Sequence, residues 1–226
     1  MRELNLLEGY PQPKEIRYVG ENIRTINHRI IAAYRDKEFF DGDRNCGYGG
    51  YKYDGRWKKV ATKIKNEYQL DENASFLQLN CEKGFLLNDI LEVIPKSKLY
   101  GLETSKYAVD QALEGVKSKI KKVDNYYDLK FEDNSFDFIL GLGVVYIHSL
   151  QDAIRCLKEI QRVGKGKSFI TLASYNNEND YWLFKNWTVL GSLILKKDEW
   201  LDVLKHVKYT GDYFFTNADT LKLKRK

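Results

Sequence analysis

From residue 58 onward short apolar runs alternate with stretches of helical periodicity, and this alternation narrows the possible folds more than any other feature. Val60, Ile64 and Tyr68 recur at helical spacing, and SFLQLN at 75–80 reads as a strand. Phe85, Leu87, Ile90, Leu91 and Ile94 mark the next helix, which Pro95 closes. KLYGLE at 98–103, IKKVDN at 120–125, FDFILG at 136–141 and KSFITLA at 167–173 read as further strands. Helical runs at 105–117 and 150–163 fall between them, and a helix at 198–207 leads to strand DYFFT at 212–216. Strands separated by helices predict an α/β domain built on a parallel sheet covered on both faces. In such sheets a ligand lies at the carboxyl ends of the strands, near the point where strand order reverses.

The chain before residue 58 has a different character. Pro11 and Pro13 sit in a polar arm that reads as ill ordered. Residues 22–40 predict an amphipathic helix with Ile23, Ile26, Ile30 and Ala33 on one face. Glycines at 42, 47, 49, 50 and 55 make residues 41–57 a loop. The expected division is therefore residues 1–57 as arm, helix and Gly/Tyr-rich loop closing over a site, 58–220 as the main domain, and 221–226 as a basic, frayed tail.

Composition excludes several classes. With 226 residues, 43% of them hydrophobic, the chain can bury a sizeable core, which rules out global disorder. No apolar run approaches the roughly 18 residues of a membrane span, so stable membrane insertion is not expected. Cys46, Cys81 and Cys156 form no CxxC pair, and His28, His148 and His206 are not at ligand spacing. Neither a disulfide framework nor a metal site is expected, and a reducing cytoplasm is the expected location. Lys and Arg number 37 against 32 Asp and Glu, but four of the basic residues lie in 222–226. The remainder stands at 33 against 32, too balanced for a nucleic-acid footprint. The expected partner is a small molecule, with the chain a monomer or homodimer.

Candidate site residues sit at the strand ends. The turn Asn80-Cys81-Glu82-Lys83-Gly84-Phe85 follows the first strand, where backbone N–H groups and a helix start can face a polar ligand. Glu103, followed by Thr104, ends the second strand 21 residues after Glu82, where a carboxylate can take both ribose hydroxyls. Asn125 and Tyr126 offer an amide and a flat face for a purine. Leu142 and Gly143 follow the fourth strand. His148, with Tyr146 beside it, is the candidate general base. In the glycine-rich loop, Tyr48, Tyr53 and Arg56 are candidates for binding substrate, Arg56 through carboxylate or phosphate.

These residues give the chain from about Val60 to Phe215 a resemblance to class I S-adenosylmethionine-dependent methyltransferases. It rests on FLQLNCEKGFLL, LYGLE, and the later stretch in which Leu129 to Asp137 and Glu159 to Val163 follow the family pattern, with Lys130 in place of a proline. The resemblance implies a doubly wound, mostly parallel seven-stranded sheet with helices on both faces, the Rossmann-like methyltransferase fold, and S-adenosylmethionine as cofactor. It further implies that Asn80, Cys81, Glu82, Gly84 and Phe85 wrap the methionine portion and that Glu103 and Thr104 hold the ribose. Asn125 and Tyr126 would face the adenine, Leu142 and Gly143 the sulfonium. Gln78, Asn80 and Glu82 depart from the acidic and glycine positions usual in the first motif. The implied activity is O- or N-methylation of a sugar, nucleotide-activated sugar or phosphate-bearing metabolite, with a weaker similarity to small bacterial enzymes of surface-polysaccharide or capsule biosynthesis. Trp182 and Trp187 fall where such enzymes build an acceptor lid. Two alternatives stand beside it: a degenerate methyltransferase fold serving as a binding or scaffold subunit, and a nucleotide-sugar or NAD-binding oxidoreductase.

Overall fold

The computed structural model of the chain describes residues 1–12 and 15–226, so Pro13 lies outside the described residues. After a 3-10 turn at Leu6–Gly9 come β1 (Arg17–Val19), α1 (Ile26–Ala33), α2 (Lys37–Asp41) and α3 (Lys58–Tyr68). Next are β2 (Ser75–Leu79), α4 (Phe85–Val93), β3 (Lys98–Glu103), α5 (Lys106–Asp110), α6 (Glu114–Lys117), β4 (Ile120–Lys122) and β5 (Phe138–Gly141). The chain ends with α7 (Leu150–Val163), β6 (Ser168–Tyr175), α8 (Glu178–Trp187), β7 (Leu195–Lys196), α9 (Lys197–His206), β8 (Asp212–Thr216) and β9 (Leu223–Arg225).

Seven strands form one sheet in the order β4-β3-β2-β5-β6-β7, with β8 also on β6, and every pairing is parallel. Alternation along the strands sends Leu77, Leu79 and Ile139 to a core under α7 and α9. Phe76, Phe138 and Leu140 go to a second core under α3 and α4. Both sheet faces are thus covered, which is why the strands read as nearly unbroken apolar runs. From β2 the chain moves outward to β3 and β4, then returns to the other side of β2 as β5. The strand order therefore reverses between β2 and β5. Among the described residues no helix is long and apolar enough to cross a membrane.

The two ends of the chain differ from their expected state. Arg17–Val19 pairs in parallel with Leu223–Arg225, so the arm and the basic tail form a small second sheet. The predicted helix at 22–40 is broken into α1 and α2 by Arg35, whose backbone is left-handed at φ 49°. Its predicted apolar face is turned outward: Ile26 is 68% and Ile30 50% exposed, and Ala33 is exposed as well, while Ala32 is buried. The helix expected at 105–117 is likewise two short helices, α5 and α6.

Candidate active site

The tips of β2 and β5 meet where the strand order reverses. Asn80 and Glu82 both adopt left-handed backbone, at φ 57° and 55°, and Gly84 follows at φ 74°. Glycine is required at 84, because a Cβ there would fall 2.7 Å from Ile120 Cδ1 and 2.9 Å from Val116 Cγ2. Asn80 Nδ2 donates to the Leu142 carbonyl at 3.1 Å and ties β2 to β5. Gly143 N donates to Thr171 Oγ1 at 2.8 Å and ties β5 to β6.

Above these tips lies a cavity of about 360 Å³, near the lower end of the range for small-molecule sites. Asn80, Cys81, Glu82, Leu142, Gly143, Tyr146 and Tyr48 line it, so the structure brings these sequence candidates together. The glycine-rich loop roofs the turn after β2 through stacked rings, Tyr48 on Tyr51 at 4.3 Å and Tyr51 on Phe85 at 4.5 Å. Lys83 pins the loop from below, its Nζ donating to both Asp41 carboxylate oxygens at 2.8 and 2.6 Å and to the Tyr51 carbonyl at 3.0 Å. The Tyr48 hydroxyl donates to Glu82 Oε1. Burial pushes the Glu82 carboxyl above its ordinary pKa, against the pull of Tyr48 and Arg35.

Glu103 is fully buried and does not line the cavity. Its Oε2 accepts from Glu82 N at 2.7 Å, and its Oε1 accepts from Ser105 N at 2.8 Å and the Arg35 guanidinium at 2.9 Å. The ribose position assigned to this carboxylate is therefore taken by a side chain of the N-terminal segment. Tyr126 is also buried, packed among core residues that include Leu102 and Leu129, and its hydroxyl accepts from Thr104 N at 3.1 Å. Its face is covered in this conformation. Asn125 Oδ1 accepts from Tyr127 N at 3.0 Å, and Asn125 lies outside the cavity lining too.

Of the two candidates beyond β5, Tyr146 lines the cavity and His148 does not. The His148 ring sits behind Tyr126 and Tyr127, at 6.2 and 5.6 Å between centroids. Its Nε2 is buried without a partner, and burial lowers its pKa despite the opposing pull of Asp152. Tyr53 and Arg56 are engaged outside the cavity. The Tyr53 hydroxyl donates to Asp89, and Arg56 forks onto neighbouring Asp54 at 2.8 and 2.6 Å. A carboxylate two residues away in the loop satisfies Arg56 before any ligand can.

Sequence reasoning missed the arginines that do line the cavity: Arg17, Arg24, Arg35 and Arg44. A signal for them was present, since seven of the ten arginines fall in residues 1–57. Trp187, weighed as part of a lid, lines the cavity, whereas Trp182 does not.

A parallel α/β sheet with its cavity at the strand-order reversal, a glycine turn after the first sheet strand and an acid ending the next defines a cofactor-binding α/β enzyme. The methyltransferase-domain family model matches residues 70–212, more than half of the chain, and the chain belongs to that family, whose methyl donor is S-adenosylmethionine. This membership sets aside the oxidoreductase alternative. Among solved structures, the YcgJ protein of Bacillus subtilis is similar at 16% identity and a TM-score of 0.53, covering 65% of this chain and 66% of that one. A Bacillus halodurans protein described as a candidate methyltransferase is similar at 16% identity and a TM-score of 0.52, covering 65% of this chain and 67% of that one. At such identity these likenesses concern the fold. No curated protein matches the chain.

Proposed function

We propose that the protein transfers the methyl group of S-adenosylmethionine to an oxygen or nitrogen of a small polar acceptor: a sugar, a nucleotide-activated sugar or a phosphate-bearing metabolite. The observation that carries the reading is the cavity between the tips of β2 and β5. Two of the residues lining it, Gln78 and Arg35, hold buried polar atoms without partners, Oε1 and Nε. Buried polar atoms left unpaired cost about 1–3 kcal/mol each, and a ligand with matching groups relieves that cost.

The donor set fits the methionine end of the cofactor. Glu82 offers a carboxylate to its ammonium group, and Arg35 Nε offers a donor to its carboxylate. Asn80, Cys81 and Gly84 shape the turn beneath, with Phe85 behind it. Glu103 is assigned to the ribose hydroxyls, so binding exchanges the Arg35 contact for hydroxyl contacts. Thr104, Asn125 and Tyr126 lie outside the cavity lining and are assigned to the adenosine side once Arg35 leaves Glu103, while Leu142 and Gly143, which line it, are assigned to the sulfonium side. The cofactor brings a methyl group already activated for displacement, and the chain supplies alignment and exclusion of water.

Tyr146 is the acceptor-side group that reaches the cavity. Burial and then Glu82 push its pKa up to about 12, so near neutral pH it positions an acceptor by donating a hydrogen bond. His148 serves as base only when Tyr126 and Tyr127 move aside. Tyr48 belongs to the roof, while Tyr53 and Arg56 support the loop from outside. An activated polysaccharide precursor in the cytoplasm is an acceptor of the proposed kind. Titration calorimetry with S-adenosylmethionine and with S-adenosylhomocysteine tests the reading. Heat of binding is expected with both, and its absence with both overturns it.

A further inference from the structure

The cavity has a second, oppositely charged wall. Arg17 comes from β1, Arg24 from the segment before α1 and Arg44 from the loop after α2, so three separate stretches of chain converge. Their guanidinium carbons lie 5.3, 4.0 and 5.5 Å from the centroid of the Trp187 indole at the end of α8. All four residues line the cavity. Arginine–carboxylate pairs among the described residues are those of Arg2, Arg35, Arg56, Arg155 and Arg162. These three arginines are not among them.

Their polar contacts go to backbone carbonyls instead. Arg24 donates to the carbonyls of Trp187 and, at 3.1 Å, Arg44; Arg44 donates to Gly47, and Arg17 to Leu221 at 3.4 Å. The end of α8 contributes roughly half a negative charge. One indole has two faces, and its attraction for the cations over it leaves their charges in place. More than two positive charges therefore remain uncompensated. Arg24 is only 7% exposed, and burial, then Arg44 and Arg17, push its pKa down to about 10. Like charges gathered in a low-dielectric wall repel one another unless an anion joins them.

We infer that Arg17, Arg24 and Arg44 form a phosphate-binding subsite beside Trp187, and that the methyl acceptor is a small molecule carrying a phosphoryl group held there. Three guanidinium forks match the several oxygens and near-double charge of a phosphoryl group, whereas one carboxylate offers two oxygens and a single charge. Glu82 on one wall and the arginines on the other would sort a cationic cofactor from an anionic acceptor within a single cavity. The acceptor role rests on the methyltransferase reading; the phosphate site does not.

Inorganic pyrophosphate, titrated at constant ionic strength into the full chain without cofactor, is the probe, with malonate as a dianionic carboxylate control. Pyrophosphate is expected to bind at least about tenfold more tightly than malonate and to raise the unfolding temperature. Arg17→Gln removes a side chain with one weak polar contact, so it should fold normally and lose about tenfold in pyrophosphate affinity, the worth of one charge-assisted hydrogen bond. Arg24→Gln should lose more. The proposal is overturned if wild type does not bind pyrophosphate, if malonate binds equally well, or if both variants bind as wild type. A parallel titration with S-adenosylmethionine separates the two claims: pyrophosphate binding without cofactor binding overturns the methyltransferase reading and leaves the phosphate site standing.

Discussion

The two sides of the strand tips handle polar groups in opposite ways. On the β3 and β4 side the carboxylate is paired within the chain: Glu103 is shared among Glu82 N, Ser105 N and Arg35, and the Tyr126 hydroxyl is held by Thr104 N, while Arg35 Nε, on a residue that lines the cavity, is left over. On the β5 and α8 side, three guanidiniums crowd one indole without a carboxylate, and Gln78 Oε1 at the β2 tip has no partner. Satisfied buried groups make a closed, rigid wall, and unsatisfied ones mark where a ligand completes the structure. A ligand arriving on the first side must displace Arg35. One arriving on the second displaces no charged partner.

The largest effect expected from this contrast is on the closed side. Glu103→Ala leaves the Arg35 cation buried and strips two backbone N–H groups of their acceptor, so it should cost about 3–5 kcal/mol in urea denaturation. A loss under about 1 kcal/mol would break the contrast. Arg35→Gln should cost less, about 2 kcal/mol, because Glu103 keeps two backbone donors; the same denaturation curves check the ranking. Glu82→Gly suits the left-handed backbone at that position but removes the proposed partner of the ammonium group. Affinity for S-adenosylmethionine should fall about tenfold by calorimetry, and a rise would mean the side chain obstructs the site.

The smallest effect lies at the far end of the sheet and serves as a control. Asp137 Oδ2 accepts from Ser75 N at 2.8 Å and Ser75 Oγ at 2.6 Å, and Lys165 reaches Oδ1 at 2.8 Å. Burial alone would raise this carboxyl, but Lys165 and Ser75 outweigh it and hold its pKa at about 2 instead of 3.8. Its folded value is the lower one, so its contribution is complete above 3.8 and is lost as pH falls through about 2. Acid titration of stability should show a shallower slope in that window for Asp137→Asn, with cofactor binding near neutral pH unchanged.

Much of the fold was legible because its signals are local. The helix at 150–163 and the strand at 212–216 occupy the residues expected of them, since an amphipathic stripe and a continuous apolar run are each written within one segment. The turn at 80–84 was legible for the same reason. What escaped depends on distant partners. The pairing of 17–19 with 223–225 joins the two ends of the chain through residues with no apolar alternation of their own. The helix at 22–40 breaks at Arg35, whose side chain is drawn to Glu103, 68 residues away. Arg56 reads as a free cation until the carboxylate of Asp54, two residues before it, is placed on its guanidinium, and Arg17, Arg24 and Arg44 become one site only through Trp187.

A crystal structure of the chain with S-adenosylhomocysteine tests the central claim most directly. It should show the ribose hydroxyls within about 2.6–3.2 Å of Glu103, the Arg35 guanidinium withdrawn from that carboxylate, and the amino-acid end of the ligand beside Asn80 and Glu82. Density for the ligand elsewhere, with Arg35 still seated on Glu103, would contradict the account.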